Sequence, residues 1–91
     1  MDAVRTWRPQ LAARARLKFD SVANQEMLLF PEAALLLNET GAAIVRLCDG
    51  VRSFDQIVDH LAEKFHGIAR DALRLEVENF LESIRARGLL Q

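Results

Sequence analysis

"ALLLNETGAAIVRLCDG", residues 34–50, changes its period partway through, and the fold turns on where that happens. Ala34 to Leu37 make a continuous apolar run. Further on, Gly41, Ile44 and Cys48 recur at helical spacing, flanked by Val45 and Leu47. Asn38 stands at the change. Asparagine is among the strongest N-cap residues, because its short side chain accepts from a free backbone N–H of the first turn. The reading is strand, cap, helix, with Asp49-Gly50 ending the helix. Gly41 costs about 1 kcal/mol of helix propensity relative to alanine, which points to close packing against another element.

Upstream of this stretch the chain reads as β. In "RARLKF", residues 14–19, Ala15, Leu17 and Phe19 alternate with Arg14, Arg16 and Lys18, the pattern of a strand with one buried face. "DSVAN" reads as a turn. "EMLLF", residues 26–30, is apolar and too short for a helix, and Pro31-Glu32 interrupts it before "AALLLN" resumes. The pattern predicts a three-stranded antiparallel meander.

Downstream the chain reads as helix. Ser53 and Gln56 fit a capping box. Ile57, Val58, Leu61, Ala62 and Phe65 come next at helical spacing, and Gly67 supplies a stop. A last helix is predicted from about Arg70 to Arg87, with Leu73, Val77, Phe80, Leu81 and Ile84 on one face and Gly88 after it. Ala69 offers its start no side-chain cap. The fold class is α+β, winged-helix-like: a three-stranded antiparallel sheet, then three helices.

The strands carry the functional signal. Met27 to Phe30 and Ala34 to Leu37 are apolar on both faces, and three short helices cover only one face of a small sheet. The other face, or the edge of the third strand, is left partly bare. Bare apolar surface beside a free strand edge marks a partner site or a self-association site. Leu75 lies nearly opposite the core face of the last helix, beside Ala72 and Asn79. If the third strand's edge lies near, Leu75 lines a groove suited to an extended peptide.

Composition bounds the rest. The 91 residues, 51% apolar and 27% charged with net charge −1, predict one small globular domain, 1–91, with no bulk attraction to nucleic acid or anionic lipid. The basic residues cluster early: Arg5, Arg8, Arg14, Arg16 and Lys18 meet only Asp2 in that region. A single cysteine excludes an intrachain disulfide, and no signal peptide or membrane span is evident, so a cytoplasmic protein is expected.

No catalytic constellation is present. His60 and His66 read as surface histidines and not metal ligands, and Cys48 as a buried, inert thiol. Asp55, Asp59 and Glu63 read as a solvated helix face. The last helix sets four arginines, Arg70, Arg74, Arg85 and Arg87, against four acidic residues, which argues against a DNA-reading helix. Self-association as a homodimer through the bare edge stays open.

Four stretches, "RPQLAARARLKFD" (8–20), "LLFPEAALLLNETGAAIVRLCDG" (28–50), "SFDQIVDHLAEKF" (53–65) and "VENFLESIRARGLL" (77–90), together resemble the PqqD family of peptide chaperones in pyrroloquinoline quinone (PQQ) biosynthesis. The most specific part runs from Pro31-Glu32 through Asn38-Glu39-Thr40 to Cys48-Asp49-Gly50. One departure is Ala12-Ala13, where the family often has a Pro-Gly-like turn. The resemblance implies a RiPP recognition element without catalysis, cofactor or metal. It implies a PqqA-like precursor peptide as ligand and a PqqE-like radical SAM enzyme as partner. In related domains the leader adds to the third strand and packs on the last helix. On this chain those elements are Ala34, Leu35, Leu36 and Leu37, and the face of Ala72, Leu75 and Asn79.

Overall fold

The computed structural model describes residues 6–91; Asp2 and Arg5 of the basic N-terminal segment lie outside the described residues. Three strands, β1 (Arg16–Asp20), β2 (Gln25–Phe30) and β3 (Ala33–Leu37), precede three helices, α1 (Glu39–Arg46), α2 (Phe54–Lys64) and α3 (Arg70–Ala86). The sheet is antiparallel in the order β1-β2-β3. Asn24 closes the first hairpin at φ 56, the left-handed region that asparagine tolerates better than most residues. Pro31-Glu32 close the second, with Phe30 opposite Ala33. Ala12-Ala13 still makes a turn, since the Ala15 N–H donates to the Ala12 carbonyl at 3.0 Å.

The register sorts the strands into two faces. Leu17, Leu28 and Leu35 share the inner face with Leu37 and pack into the core. Met27 and Leu29 face the other way, opposite Leu36 and Ala34. The expected buried face of β1 is only partly realised. Ala15 is buried and Leu17 half-buried, but Phe19 is 53% exposed. The eight-residue α1 is the helix laid across the strands.

Asn38 caps α1 as its position predicts: its Oδ1 accepts from the Gly41 N–H at 2.7 Å. The helix ends earlier than Asp49-Gly50, at Arg46, with Leu47 as C-cap. The N-terminal arm holds the next few residues in place. The Leu11 N–H donates to the Cys48 carbonyl (3.2 Å), and the Gly50 N–H to the Pro9 carbonyl (2.9 Å). Gly50, at φ 78, lies so close to Gln10 that a Cβ would sit 2.7 Å from its Oε1.

The capping box of α2 is complete: the Gln56 N–H donates to Ser53 Oγ and the Ser53 N–H to Gln56 Oε1. Gly67 does not stop this helix. It ends at Lys64, and Gly67 does not take a positive φ. α3 starts at Arg70 without a side-chain cap and ends in a Schellman motif. The Gly88 N–H reaches the Arg85 carbonyl, the Leu89 N–H reaches the Ile84 carbonyl, and Gly88 has φ 75. That reversal folds Leu89 and Leu90 into the core, beside Phe54, Ile57, Leu73 and Leu81.

Candidate functional site

β3 is an edge strand, and no other strand pairs with its outer side among the described residues. The opposite edge, β1, is blunted by Arg16, Lys18 and Asp20. β3 is Ala-Ala-Leu-Leu-Leu and has no such guard. Its row of backbone N–H and C=O groups is therefore a template for another strand.

An open groove of about 550 Å³ lies between α1 and α3, walled by Gly41 and Ile44 on one side and by Ala72, Leu75 and Phe80 on the other. Asn38, Glu76 and Asn79 add the polar lining. The groove meets the strand at Gly41: a Cβ there would lie 3.2 Å from the Phe80 ring and 3.6 Å from Leu37 Cδ2. The propensity cost of Gly41 is thus explained, because it lets α1 approach both β3 and α3. The end of β3 thus meets the groove at Leu37, Asn38 and Gly41.

The sequence leaves both faces of β3 open as core, and the structure separates them. Leu37 is 4% exposed and points inward, with Leu35 half-buried on the same side. Ala34 and Leu36 point to the outer face, with Leu36 52% exposed. Of the expected residues, Ala72, Leu75 and Asn79 line the groove, and Leu37 lies against its Gly41 wall. The side chains of Ala34 and Leu36 belong to a different surface. Leu75 is 57% exposed. Sequence reasoning misses Asn38, Ile44, Glu76 and Phe80 as lining. Asn38 and Ile44 read there as cap and core, and Phe80 as a residue of the α3 core face.

No group of three or more His, Cys, Asp or Glu side chains among the described residues could hold a metal ion. Cys48 is buried, and its thiol donates to the Ile44 carbonyl at 3.3 Å. Burial, helped by the Asp49 carboxylate, pushes this thiol up from 9.0 to about 12. The Asp49 carboxyl is held below its ordinary value by the backbone N–H groups of Arg52 and Val51. Folded protein at pH 8 should therefore alkylate Cys48 roughly a thousandfold more slowly than protein in urea. Because folding raises this pKa, its stabilising contribution is complete below about pH 9 and is lost as pH rises toward about 12. Iodoacetamide labelling followed by mass spectrometry measures the first effect; fast labelling of folded protein would show an open thiol.

The acidic stripe of α2 is not simply solvated. Asp55 pairs with Arg74 at 2.8 Å and Asp59 with Arg70 at 2.5 Å, tying α2 to α3. Arg85 pairs with Glu82 within α3 at 2.8 Å. Arg70, Arg74 and Arg85 are thus each paired with a carboxylate of the same chain, which offsets the positive charge of α3.

A free strand edge beside a helix-walled groove is a layout suited to an extended chain. Comparison with known proteins gives the fold and the family. The PqqD part of Methylobacterium extorquens PqqCD, described as a stand-alone RiPP recognition element in its solution NMR structure, superimposes with a TM-score of 0.78. It is 26% identical and covers 91% of this chain and 87% of that one. TbiB1 in complex with the TbiA(beta) leader peptide shares the fold at TM-score 0.75 and 17% identity, over 90% of this chain and 94% of that one.

Residues 26–90 match the family described as coenzyme PQQ synthesis protein D (PqqD). A PqqA binding protein from Rhodopseudomonas palustris strain BisB5 is 34% identical, over 91% of this chain and 80% of its own length. One from Azotobacter vinelandii is 36% identical, over 91% and 88%. The chain belongs to the PqqD family.

Proposed function

We propose that this chain binds the leader of a PqqA-type precursor peptide and presents it to a PqqE-type radical SAM enzyme in PQQ biosynthesis. The leader adds as a fourth strand along the outer edge of β3 and sets alternate side chains into the groove between α1 and α3. The observation that carries this is the continuity of an unguarded edge with that groove, joined at Leu37, Gly41 and Phe80. Support comes from relatives named as PqqA binding proteins and from a neighbour of the same fold that holds a leader peptide. In this reading residues 1–91 act as one domain, in the cytoplasm. The chain performs no chemistry of its own, takes no cofactor and needs no homodimer.

Strand addition predicts a period of two in the ligand. A strand at a sheet edge turns every second N–H toward its neighbour. N-methylation at successive leader residues should therefore weaken binding by about tenfold at alternate positions and little at those between. Fluorescence anisotropy of labelled peptides reads this directly. Loss at every interior position would mean that the leader binds as a helix, and no loss at any position would mean that main-chain pairing is absent.

A further inference from the structure

The sheet has a second face that α1, α2 and α3 do not reach. Antiparallel pairing fixes what it carries: Arg16 and Lys18 on β1, Met27 and Leu29 on β2, Ala34 and Leu36 on β3. The apolar side chains run together toward the β3 edge, and the cations border them on the β1 side. Neither Arg16 nor Lys18 has an ion-pair partner among the described residues. The one strand carboxylate on this face, Asp20, lies at the end of β1 and accepts from the Val22 N–H at 3.1 Å.

We infer that this outer face is the docking surface for the enzyme that modifies the bound peptide, and that it receives an apolar patch flanked by carboxylates. This rests on the leader-binding reading of the β3 edge. Two arguments select that occupant. The first is continuity. A leader paired to β3 sends alternate side chains into the groove and the others onto the outer face, next to Leu36. A partner on that face touches the protein and the leader together, so it distinguishes loaded protein from empty.

The second is charge. A second copy seated on the same face brings two cations, Arg16 and Lys18, for each carboxylate, Asp20, so like charge stays in excess across such a pair. An acidic rim on the partner meets both Arg16 and Lys18.

Size adds a constraint. Three strands of this length present a face on the order of a few hundred Å², less than the roughly 800 Å² per partner of a standard interface. The enzyme is therefore held weakly by the empty protein and more tightly once the leader has widened the sheet. By linkage the enzyme tightens the leader by the same factor.

The test uses the full chain, the double variant R16E/K18E, a labelled PqqA-type leader peptide and the purified radical SAM enzyme. Both substituted positions are exposed on an edge strand, and K18E alone serves if the double variant melts early. The variant is expected to bind the leader within about twofold of wild type and to lose roughly tenfold in affinity for the enzyme, with a flatter salt dependence. In wild type, leader should raise enzyme affinity by roughly fivefold or more.

Unchanged enzyme affinity in the variant overturns the inference and leaves Arg16 and Lys18 as guards of the β1 edge. A wild-type dimer in light scattering that the charge reversal abolishes also overturns it, in favour of a second copy. Failure of wild type to bind leader sinks the leader reading instead. It is read in a separate arm from the enzyme titration.

Discussion

Leu75→Asp is expected to leave the protein folded and to weaken leader binding by about a hundredfold. Leu75 is 57% exposed on α3, so its removal empties no core, and melting should shift by only a few degrees. Its side chain lines the groove opposite Gly41 and Ile44. A leader seated there covers the half that water now reaches. Burying an apolar side chain of this size contributes about 1.5–3 kcal/mol when complete, and half of that is available here. Aspartate forfeits the contact and also asks a carboxylate to shed water against Ala72 and Phe80, at a cost of about 1–3 kcal/mol. Together these approach 3 kcal/mol, or two orders of magnitude in affinity.

Leu75→Met keeps the volume and the apolar character, so it should stay within about threefold of wild type. Calorimetric titration of leader into both variants decides the matter. Equal affinities for Leu75→Asp and wild type would mean that the leader does not enter the groove. Leu36→Asp makes a poor substitute, because its side chain points to the outer face and would report on a different surface.

The features legible in the sequence rest on chemistry confined to one or two turns. Asn38, Ser53 with Gln56, and Gly88 act through neighbours three or four residues away, and each does what its local context predicts. The helix ends at Arg46 and Lys64 are not legible in that way. The chain after α1 is pinned by Pro9 and Leu11, which are remote in sequence, and Gly67 lies past the end of a helix already finished.

The core face of β3 is hidden for a different reason. Alternation identifies a buried face only when the other face is polar, and Ala-Ala-Leu-Leu-Leu has no polar face. Its apolar outer side is information about partners rather than about the fold. The groove is half legible. Leu75 stands out as a misplaced leucine, and Gly41 as a costly helix residue, but their meeting through Phe80 depends on how α1 crosses α3.

Phe54→Ala is expected to remove about 3–5 kcal/mol of stability. The Phe54 ring has no exposed surface and is the largest of the fully buried side chains. It sits where several elements converge. The Phe54 N–H donates to the Trp7 carbonyl at 2.7 Å, which fastens the N-terminal arm to the start of α2. The Arg74 guanidinium lies 4.9 Å from the ring centroid while pairing with Asp55, so the ring also supports the bridge from α2 to α3.

A domain of this length has a total stability of roughly 5–14 kcal/mol, so the substitution takes about a fifth of it at least. In urea the midpoint should fall by about 2–3 M at an unchanged slope. Phe54→Leu fills most of the cavity and should lose about 1–2 kcal/mol. A loss below about 1 kcal/mol for Phe54→Ala would show that the arm, α2 and α3 do not close over this ring. The groove residues lie elsewhere on α1 and α3, so the molecules of Phe54→Ala that remain folded should bind leader with near wild-type affinity. Leu75→Asp shows the reverse pattern, and the pair separates what holds the groove walls in place from what the groove itself contacts.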